Sequence, residues 1–401
     1  MRKIPFSPPD ITDKEIESVV EVLKSGWITT GPKTKKFEKE ISEYCGTEKT
    51  ICMNSATSCM EMCLRMLGVG PGDEVITSSY TYTASASVIA HIGAKIVLVD
   101  TEKDSYHLST ESLEKAISPR TKVIIPVDIA GVMCDYDELF RVVEDKKKLF
   151  SPNNDIQAIY DRIIILADAA HSFGATYKGR QSGAVADFTS FSFHAVKNLT
   201  TAEGGALTWT SLGEDFDNEV YNTLNMLTLH GQTKDAFAKN KLGSWEYDIT
   251  EPAFKCNMTD IQAALGLVQL ERYPELLSKR KKLIKLYELS LKGVDKINIL
   301  SHYNKKYTSS GHLFLTGVRG SNEQKRNQII LELAEKGIAT NVHYKPLPLL
   351  TAYKKMNFKM TNYPNAYNMY KSEITLPLNT RMTEDDIVYV AEKLINIAVR
   401  R

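Results

Sequence analysis

Seven short apolar runs, most of them separated by segments of helix length, constrain the fold of this chain more than any other feature. Runs of this length and spacing predict strands that alternate with helices. Such a chain folds into an α/β structure, in which a mainly parallel sheet carries helices on both faces. The predicted strands span residues 51–54, 74–77, 95–99, 122–126, 163–168, 188–193 and 206–209.

The N-terminal region predicts one short helix before the first strand. Thr12 and Glu15 have the spacing of a capping box, and Gly26 ends the apolar pattern that follows them. Residues three and four apart share one face of a helix. The apolar stripe consists of Ile16, Val19, Val20 and Leu23.

The C-terminal part predicts a second domain. A long helix is expected from Thr259 to about Leu291, with a kink or an interruption at Pro274. A strand over residues 310–318 and a helix over 324–337 follow it. The predicted division is a large domain with the N-terminal segment, residues 1–258, and a linking helix with a small C-terminal α+β domain, residues 259–401.

The composition permits two cores and narrows the class of protein. With 401 residues, 43% of them hydrophobic, the chain is long enough for a large and a small domain. The net charge of +1 argues against nucleic acid or a membrane surface as a partner. The six cysteines have no CxxC spacing, so they predict buried thiols rather than a zinc site or a disulfide framework.

The chain is expected to be soluble and cytoplasmic. Its first nine residues contain no apolar signal segment, and no run of about 18 apolar residues occurs in it.

Two chemically active side chains follow predicted strands. Lys197 lies on a turn of small residues after strand 188–193, where a desolvated lysine loses its proton readily and can attack a carbonyl. Asp168 ends strand 163–168, at the edge where open α/β sheets bind ligands. A carboxylate there suits pyridoxal phosphate (PLP), because it keeps the ring nitrogen protonated. The alternatives are a solvated Lys197 and an Asp168 that caps a helix.

Residues 55–57 predict an anion site. Since residues 49–54 are expected to form a strand and 57–67 a helix, Ser55, Ala56 and Thr57 would present free backbone N–H groups at a helix N-terminus. The helix dipole also favours an anion there, so a phosphate fits. The alternative is that Ser55 is only the N-cap.

Together these segments resemble the DegT/DnrJ/EryC1/StrS aminotransferases, which are sugar aminotransferases of the fold-type I, aspartate aminotransferase-like PLP superfamily. The resemblance covers nearly the whole chain and rests on seven motifs in order. The motifs are GWITTGP at 26–32, NSAT at 54–57, GPGDEVI at 70–76, the Asp168 and Lys197 segments, MTDIQAALG at 258–266 and NVHY at 341–344.

The resemblance implies a fold-type I transferase in which residues 1–258 bind PLP and the mostly parallel sheet has seven strands. Lys197 would be the catalytic residue and would bind PLP covalently. Ser192 would join residues 55–57 at the phosphate, and Asp168 would face the ring nitrogen. No metal is expected.

Other implied contacts lie around the ring and the substrate. Tyr82 would stack on the ring and His171 would approach its phenolic oxygen, while core packing of Tyr82 and a structural His171 stay open. Thr29, Thr30 and His343 match family positions on the substrate side.

The sequence departs from the family pattern at a phosphate ligand that the partner subunit of a homodimer donates. Lys255 occupies the position that is usually asparagine, and Asn257 replaces the usual arginine. A lysine can hold phosphate as a point charge, an arrangement that resembles the branch aminating 4-keto-arabinose on a uridine nucleotide. Lys255 is therefore expected to bind the cofactor. The arginine's own substrate contact is in doubt.

Residues 144–162 make the chain longer than the family pattern just before the Asp168 strand. One interpretation is a solvated helix extension and loop. The other is an oligomer contact or a substrate lid.

The activity that the resemblance implies is transamination in two halves. L-Glutamate would leave as 2-oxoglutarate, with pyridoxamine phosphate formed, and a keto-sugar would then receive the amino group. The expected acceptor is a nucleotide-linked 4-keto or 3-keto deoxysugar, for bacterial surface polysaccharide or amino-sugar biosynthesis. Both substrates would share a wide cleft at the dimer interface.

A scaffold of this kind allows three other functions. Family members that replace the lysine by histidine dehydrate sugars, and Lys197 argues against that chemistry. A cyclitol ketone or a free keto-sugar stays open as the acceptor. A non-catalytic regulator on the same fold is disfavoured by the intact set of Asp168, Ser192 and Lys197.

Overall fold

A seven-stranded sheet forms the centre of the molecule in the computed structural model, which describes residues 2–233 and 246–399. All seven predicted strands belong to it, each with bounds within one residue of those expected. The strands of the structure are β1 (Thr50–Met53), β2 (Glu74–Ser78), β3 (Lys95–Val99), β4 (Thr121–Ile125), β5 (Ile164–Asp168), β6 (Thr176–Tyr177), β7 (Arg180–Gln181), β8 (Phe188–Ser192), β9 (Gly205–Trp209), β10 (Ile297–Ile299), β11 (Tyr307–Thr308), β12 (Phe314–Val318) and β13 (Glu373–Leu376).

The order of the central sheet brings the ends of β5 and β8 side by side. The strands follow one another as β1-β9-β8-β5-β4-β2-β3. All neighbours from β8 to β3 are parallel, while β9 is antiparallel to both β1 and β8. The mainly parallel seven-stranded sheet is therefore confirmed. Because β5 and β8 run in the same direction, Asp168 and the loop after Ser192 meet at one edge.

Helices cover both faces of this sheet, as expected. Along β5, Ile164 and Leu166 pack into one apolar cluster, and Ile165 and Ala167 into another, because successive strand residues point to opposite faces. The helices described are α1 (Asp13–Ser25), α2 (Pro32–Cys45), α3 (Ala56–Met66), α4 (Ala84–His91), α5 (Thr110–Ala116), α6 (Tyr136–Asp145), α7 (Asp155–Tyr160), α8 (Glu214–Thr228), α9 (Asp260–Ser290), α10 (Glu323–Glu335), α11 (Thr351–Lys355), α12 (Pro364–Tyr370) and α13 (Glu384–Val399).

The C-terminal part has an apolar core of its own. Strands β10, β12 and β13 form an antiparallel sheet, and α10, α13 and the last turns of α9 pack on it. Ile4 from the N-terminus joins this core. The division at residue 258 stays a prediction.

The structure differs from the C-terminal prediction in two details. Helix α9 is continuous through Pro274, so the helix is not interrupted there, and a kink at Pro274 stays a prediction. The predicted strand 310–318 begins only at Phe314, because the preceding backbone pairs with the loop after β4 instead. In that contact Ser310 N donates to Gly131 O at 3.1 Å and His312 N donates to Ala130 O at 3.1 Å.

Helix α1 is present as predicted, with its capping box and with Gly26 at its C-terminal end. The apolar stripe of a helix normally packs against the protein, but α1 packs with another face. The carboxylate of the buried Glu15 accepts hydrogen bonds from Arg272 at 2.5 Å and Gln269 at 2.7 Å. The apolar stripe points away from the chain, with Ile16, Val20 and Leu23 exposed by 55%, 38% and 54%.

The segment 144–162 supports the far end of α3. Its helix α7 places Asn154 and Gln157 against the last turn of α3, where their amides donate to Met66 O at 3.0 Å and Leu67 O at 2.6 Å. A helix of 11 residues is about 16 Å long, so this contact lies that far from residues 55–57. The position favours the helix-and-loop interpretation and argues against a lid over the same chain's site.

All six cysteines are buried, as the sequence predicts. Within the described residues, no helix is both long and apolar enough to cross a membrane, and no group of three metal-ligating side chains occurs.

We expect Gln157→Leu to lower the free energy of unfolding by about 1–3 kcal/mol, because the buried carbonyl of Leu67 would lose its donor. Urea unfolding measures the difference. Ile159→Ala on the same helix is the control, since Ile159 is 52% exposed and its loss should cost about 0.5 kcal/mol or less. Equal losses in the two variants would contradict the proposed support of α3.

Candidate active site

A cavity of about 380 Å³ opens where the ends of β5 and β8 meet the N-terminus of α3. Its volume falls in the usual range for small-molecule sites. Most of the sequence-predicted site residues line it, and three do not. The lining residues among them are Ser55, Ala56, Thr57, Tyr82, Asp168, His171, Ser192, Lys197 and His343.

The N-terminus of α3 presents free N–H groups to the cavity. Ser55 is the N-cap, and its Oγ accepts from Ser58 N at 3.1 Å, as the structural alternative expected. This leaves the backbone N–H groups of Ala56 and Thr57 without a helical acceptor. A cap and an anion site are therefore compatible here.

Gly205 permits β9 to pass directly beneath this helix start. A Cβ atom at Gly205 would lie 2.4 Å from Ser55 C and 2.5 Å from Ala56 N. Any side chain would push the first turn of α3 away. Sequence reasoning missed this role, although the Gly204-Gly205 pair was visible after Lys197.

Asp168 is held in place by two hydrogen bonds. Ser85 Oγ donates to one carboxylate oxygen at 2.6 Å and Ala170 N to the other at 3.2 Å. Burial raises the pKa of Asp168, against the opposing effect of these hydrogen bonds. A turn follows Asp168 rather than a helix, so the capping alternative is wrong.

Ser85 is a second residue that sequence reasoning missed. It lies in the first turn of α4, three residues after Tyr82, and its hydroxyl also meets Thr81 Oγ1 at 2.8 Å. The Thr81–Ser85 pair thus fixes the orientation of the Asp168 carboxylate.

Lys197 has an unusually acidic ammonium group. Burial lowers the pKa of Lys197 to about 8, although the nearby Asp168 carboxylate opposes the change. A neutral amine is therefore accessible close to neutral pH, which attack on a carbonyl requires. This setting excludes a fully solvated surface lysine.

His171 and Tyr344 form a hydrogen-bonded pair in the cavity wall. Ala130 N donates to His171 Nδ1 at 3.2 Å, and burial lowers the pKa of His171 well below its ordinary value. The neutral ring therefore carries its proton on Nε2, which donates to Tyr344 Oη at 3.0 Å. No acceptor for the hydroxyl hydrogen of Tyr344 occurs in residues 2–233 and 246–399, so this hydrogen can serve a ligand. Tyr344 belongs to the NVHY motif, but sequence reasoning gave it no role.

Tyr82 and Ser192 complete the part of the site that the sequence predicted. Tyr82 is 60% exposed and its ring lies 5.8 Å from that of Tyr344, so the core-packing alternative is wrong. Ser192 ends β8 beside the α3 N-terminus, half-buried, and both residues face the cavity.

Thr29, Thr30 and Lys255 do not line the cavity of their own chain. Thr30 Oγ1 donates to Met258 O at 2.5 Å, and Thr29 O accepts from Asp260 N at 3.1 Å, so this pair ties the chain after α1 to the start of α9. Lys255 is exposed and its ammonium contacts Asn257 Oδ1. Their ligand contacts stay predictions.

The residues around the cavity fit PLP. The close approach at Gly205 leaves a backbone cradle for a phosphate at α3. The same cavity holds the Asp168 carboxylate for a ring nitrogen and the Lys197 amine for an aldehyde carbon.

Comparisons with known proteins agree on one family. The model of the DegT/DnrJ/EryC1/StrS aminotransferase family matches residues 9–395. The spore coat polysaccharide biosynthesis protein SpsC of Bacillus subtilis is 35% identical over 401 residues, which cover 98% of this chain and 97% of SpsC.

Solved structures give the same result. Spr1654 of Streptococcus pneumoniae, a candidate sugar aminotransferase, is 54% identical in its PLP form, with a TM-score of 0.96 and coverage of 100% of this chain and 99% of that one. Its PMP form has the same TM-score, 55% identity and coverage of 99% and 100%. PseC of Helicobacter pylori, an aminotransferase involved in the biosynthesis of pseudoaminic acid, is 26% identical, with a TM-score of 0.87 and full coverage of both chains.

We expect Gly205→Ala to weaken PLP binding at least about tenfold, because the added methyl group would displace the N–H groups of α3. Titration of the apoprotein with PLP, followed by absorbance, measures this. Gly70→Ala is the control, since the nearest atom to its Cβ would be Ile92 O at 3.8 Å. Unchanged affinity in a folded Gly205→Ala protein would place the phosphate elsewhere.

Proposed function

The chain belongs to the DegT/DnrJ/EryC1/StrS aminotransferase family, and on that premise we propose that it transfers the amino group of L-glutamate to a keto-sugar. It is a PLP-dependent aminotransferase. One observation carries the proposal: Lys197, Asp168 and the free N–H groups of α3 converge on a single cavity.

The cofactor would be held by groups from four parts of the chain. The α3 N-terminus and Ser192 would bind the phosphate, Asp168 the ring nitrogen and Lys197 the aldehyde carbon, with Tyr82 against the ring. When bound, PLP supplies an electron sink for the negative charge that develops at the reacting carbon of the substrate.

The protein's own contribution is to move one proton and to orient the substrate. Lys197 Nζ would take the proton from the α-carbon of L-glutamate as a base and return a proton as an acid. Its lowered pKa suits both roles near neutral pH. In the second half the same amine would deliver a proton to the carbon of the sugar that becomes aminated. The free hydroxyl of Tyr344 and the ring of His343 face the space left for substrate oxygens.

The choice of a sugar as the acceptor rests on the relatives. Spr1654 is described as a candidate sugar aminotransferase, and the name of SpsC places it in spore coat polysaccharide biosynthesis. We extend this to a nucleotide-linked 4-keto or 3-keto deoxysugar in the cytoplasm. A cyclitol ketone or a free keto-sugar is the second candidate, which a substrate screen would separate.

We also propose a homodimer with shared active sites. The stripe of α1, Ile28 and Phe254 all expose apolar side chains at the surface. Asn257 Nδ2 donates to Thr30 Oγ1 at 2.6 Å, so the segments that follow α1 and precede α9 form one continuous surface. Lys255 on this surface would reach the phosphate site of the partner.

We expect L-glutamate alone to convert the PLP-loaded protein to its pyridoxamine phosphate form. The absorbance spectrum should lose the yellow band of bound PLP and gain that of pyridoxamine phosphate. Lys197→Ala should abolish turnover yet still bind pyridoxamine phosphate, because the phosphate cradle is intact. Robust turnover by that variant would remove Lys197 from its role, and a band that ignores L-glutamate would point to another donor.

We expect Lys255→Ala to weaken PLP binding about tenfold, through loss of one charged contact. At a PLP concentration that leaves Lys255→Ala mostly empty, mixing this variant with Lys197→Ala should restore turnover if Lys255 acts on the partner's site, because mixed dimers contain one complete site. Lys39→Ala, another exposed lysine, is the matched control and should keep its cofactor. No restoration on mixing, with dimers present, would place Lys255 outside the shared site.

A further inference from the structure

A buried carboxyl group lies behind the cavity wall and has no part in the mechanism described. Glu373 of β13 is fully buried. One of its carboxyl oxygens, Oε2, accepts from His343 N at 3.0 Å, and the other, Oε1, meets Thr375 Oγ1 at 2.6 Å. Burying an ionisable group costs free energy. We therefore ask what Glu373 does next to His343, which is expected on the substrate side of the cavity.

The hydrogen-bond chain continues from Thr375 to the ring of His343. Thr375 Oγ1 lies 2.9 Å from His343 Nδ1. The hydroxyl has a single hydrogen, so it can donate to only one of its two neighbours. The donor-to-acceptor direction of these hydrogen bonds therefore depends on whether Glu373 or His343 Nδ1 carries the proton.

The two protonation states of Glu373 give opposite directions. When Glu373 is ionised, Thr375 donates to Glu373 Oε1 and accepts from His343 Nδ1–H, which leaves His343 Nε2 as an acceptor. When Glu373 Oε1 is protonated, it donates to Thr375, which in turn donates to Nδ1, and the ring proton lies on Nε2.

His343 is suited to this behaviour because its ring stays neutral. Burial lowers the pKa of His343 to about 4, with Lys197 adding to the effect. The ring stacks on Phe6 with the centroids 5.6 Å apart, and it lines the cavity. Among the described residues, no atom forms a hydrogen bond with Nε2, which remains available to a ligand.

We propose that Glu373 is a positioning residue that acts through Thr375 to decide which ring nitrogen of His343 carries the proton. His343 thereby offers the substrate either a hydrogen-bond donor or an acceptor. The inference rests on the proposed function only in taking that substrate to be a keto-sugar. A carbonyl or phosphate oxygen requires the donor form, whereas a hydroxyl accommodates both.

Burial raises the pKa of Glu373 to about 8, against the hydrogen bonds from Thr375 and His343 N and the charge of Arg326. The donor form of His343 therefore prevails below this pH and the acceptor form above it. Arg326 also donates to Glu373 O at 3.0 Å.

With one exception, the other titratable groups around Glu373 and His343 do not titrate near pH 8. Tyr80, Tyr106 and Tyr344 face Glu373, and burial raises the pKa of each tyrosine. His171 and His312 face His343, and burial lowers the pKa of each histidine. The exception is Lys197, whose free amine also has a pKa of about 8, although loading with PLP would remove this amine from the titration. A test must separate its effect from that of Glu373.

The experiment is a pH titration of the PLP-loaded protein labelled with [15N]histidine, read by NMR. The His343 signals are assigned by their loss in His343→Asn. In the wild type, Nε2 should change from the protonated to the unprotonated type with a midpoint near pH 8. In Glu373→Gln the amide donates to Thr375 at every pH, so Nε2 should stay protonated throughout.

Two further variants test the link itself. Thr375→Val removes the hydroxyl and should abolish the transition with Glu373 in place, whereas Thr375→Ser should preserve it. A wild-type ring without a transition would overturn the proposal. A transition that persists in Glu373→Gln or Thr375→Val would also overturn it and would assign the titration to another group of the site. The readout involves no sugar and no turnover, so it stands or falls separately from the proposed function.

Discussion

The cavity depends on the close contact between β9 and the first turn of α3. Because Gly205 has no Cβ, the strand passes within van der Waals distance of Ser55 and Ala56 and holds the helix start at the edge of the sheet. The parallel pairing of β5 with β8 brings Asp168 to the same edge. An anion cradle and a carboxylate are thus fixed by backbone packing rather than by flexible side chains.

Burial sets the chemistry of the groups placed there. It lowers the pKa of Lys197 into the range where a lysine can serve as nucleophile, base and acid. It also keeps the histidines neutral, so that each ring is a donor at one nitrogen and an acceptor at the other. Ala130 and Thr375 each form a hydrogen bond with one nitrogen of a ring. They thereby decide whether the other nitrogen offers the cavity a donor or an acceptor.

The sequence predicted the sheet closely and the site in part, and the reasons differ. Strand bounds follow from local apolar runs, which is why all seven were found. The outward face of α1 was not predictable, because Glu15 is buried by Arg272, a residue more than 250 positions away. Likewise the short β12 reflects a backbone contact with the loop at Gly131. Lys255 and the Thr29-Thr30 pair lie outside the cavity of their own chain, and their ligand contacts stay predictions.

By itself, the sequence determined the α/β class, the order of the strands along the chain, and the chemical types that converge on the site: a lysine, an aspartate and a helix N-terminus after strands. These follow from local patterns and from the rule that parallel strands end at one edge. Only the tertiary structure decided that Ser85 orients Asp168, that Gly205 lies beneath the start of α3, and that Glu373 lies behind His343. Those contacts join residues far apart in the chain, and no local periodicity encodes which distant side chains will meet.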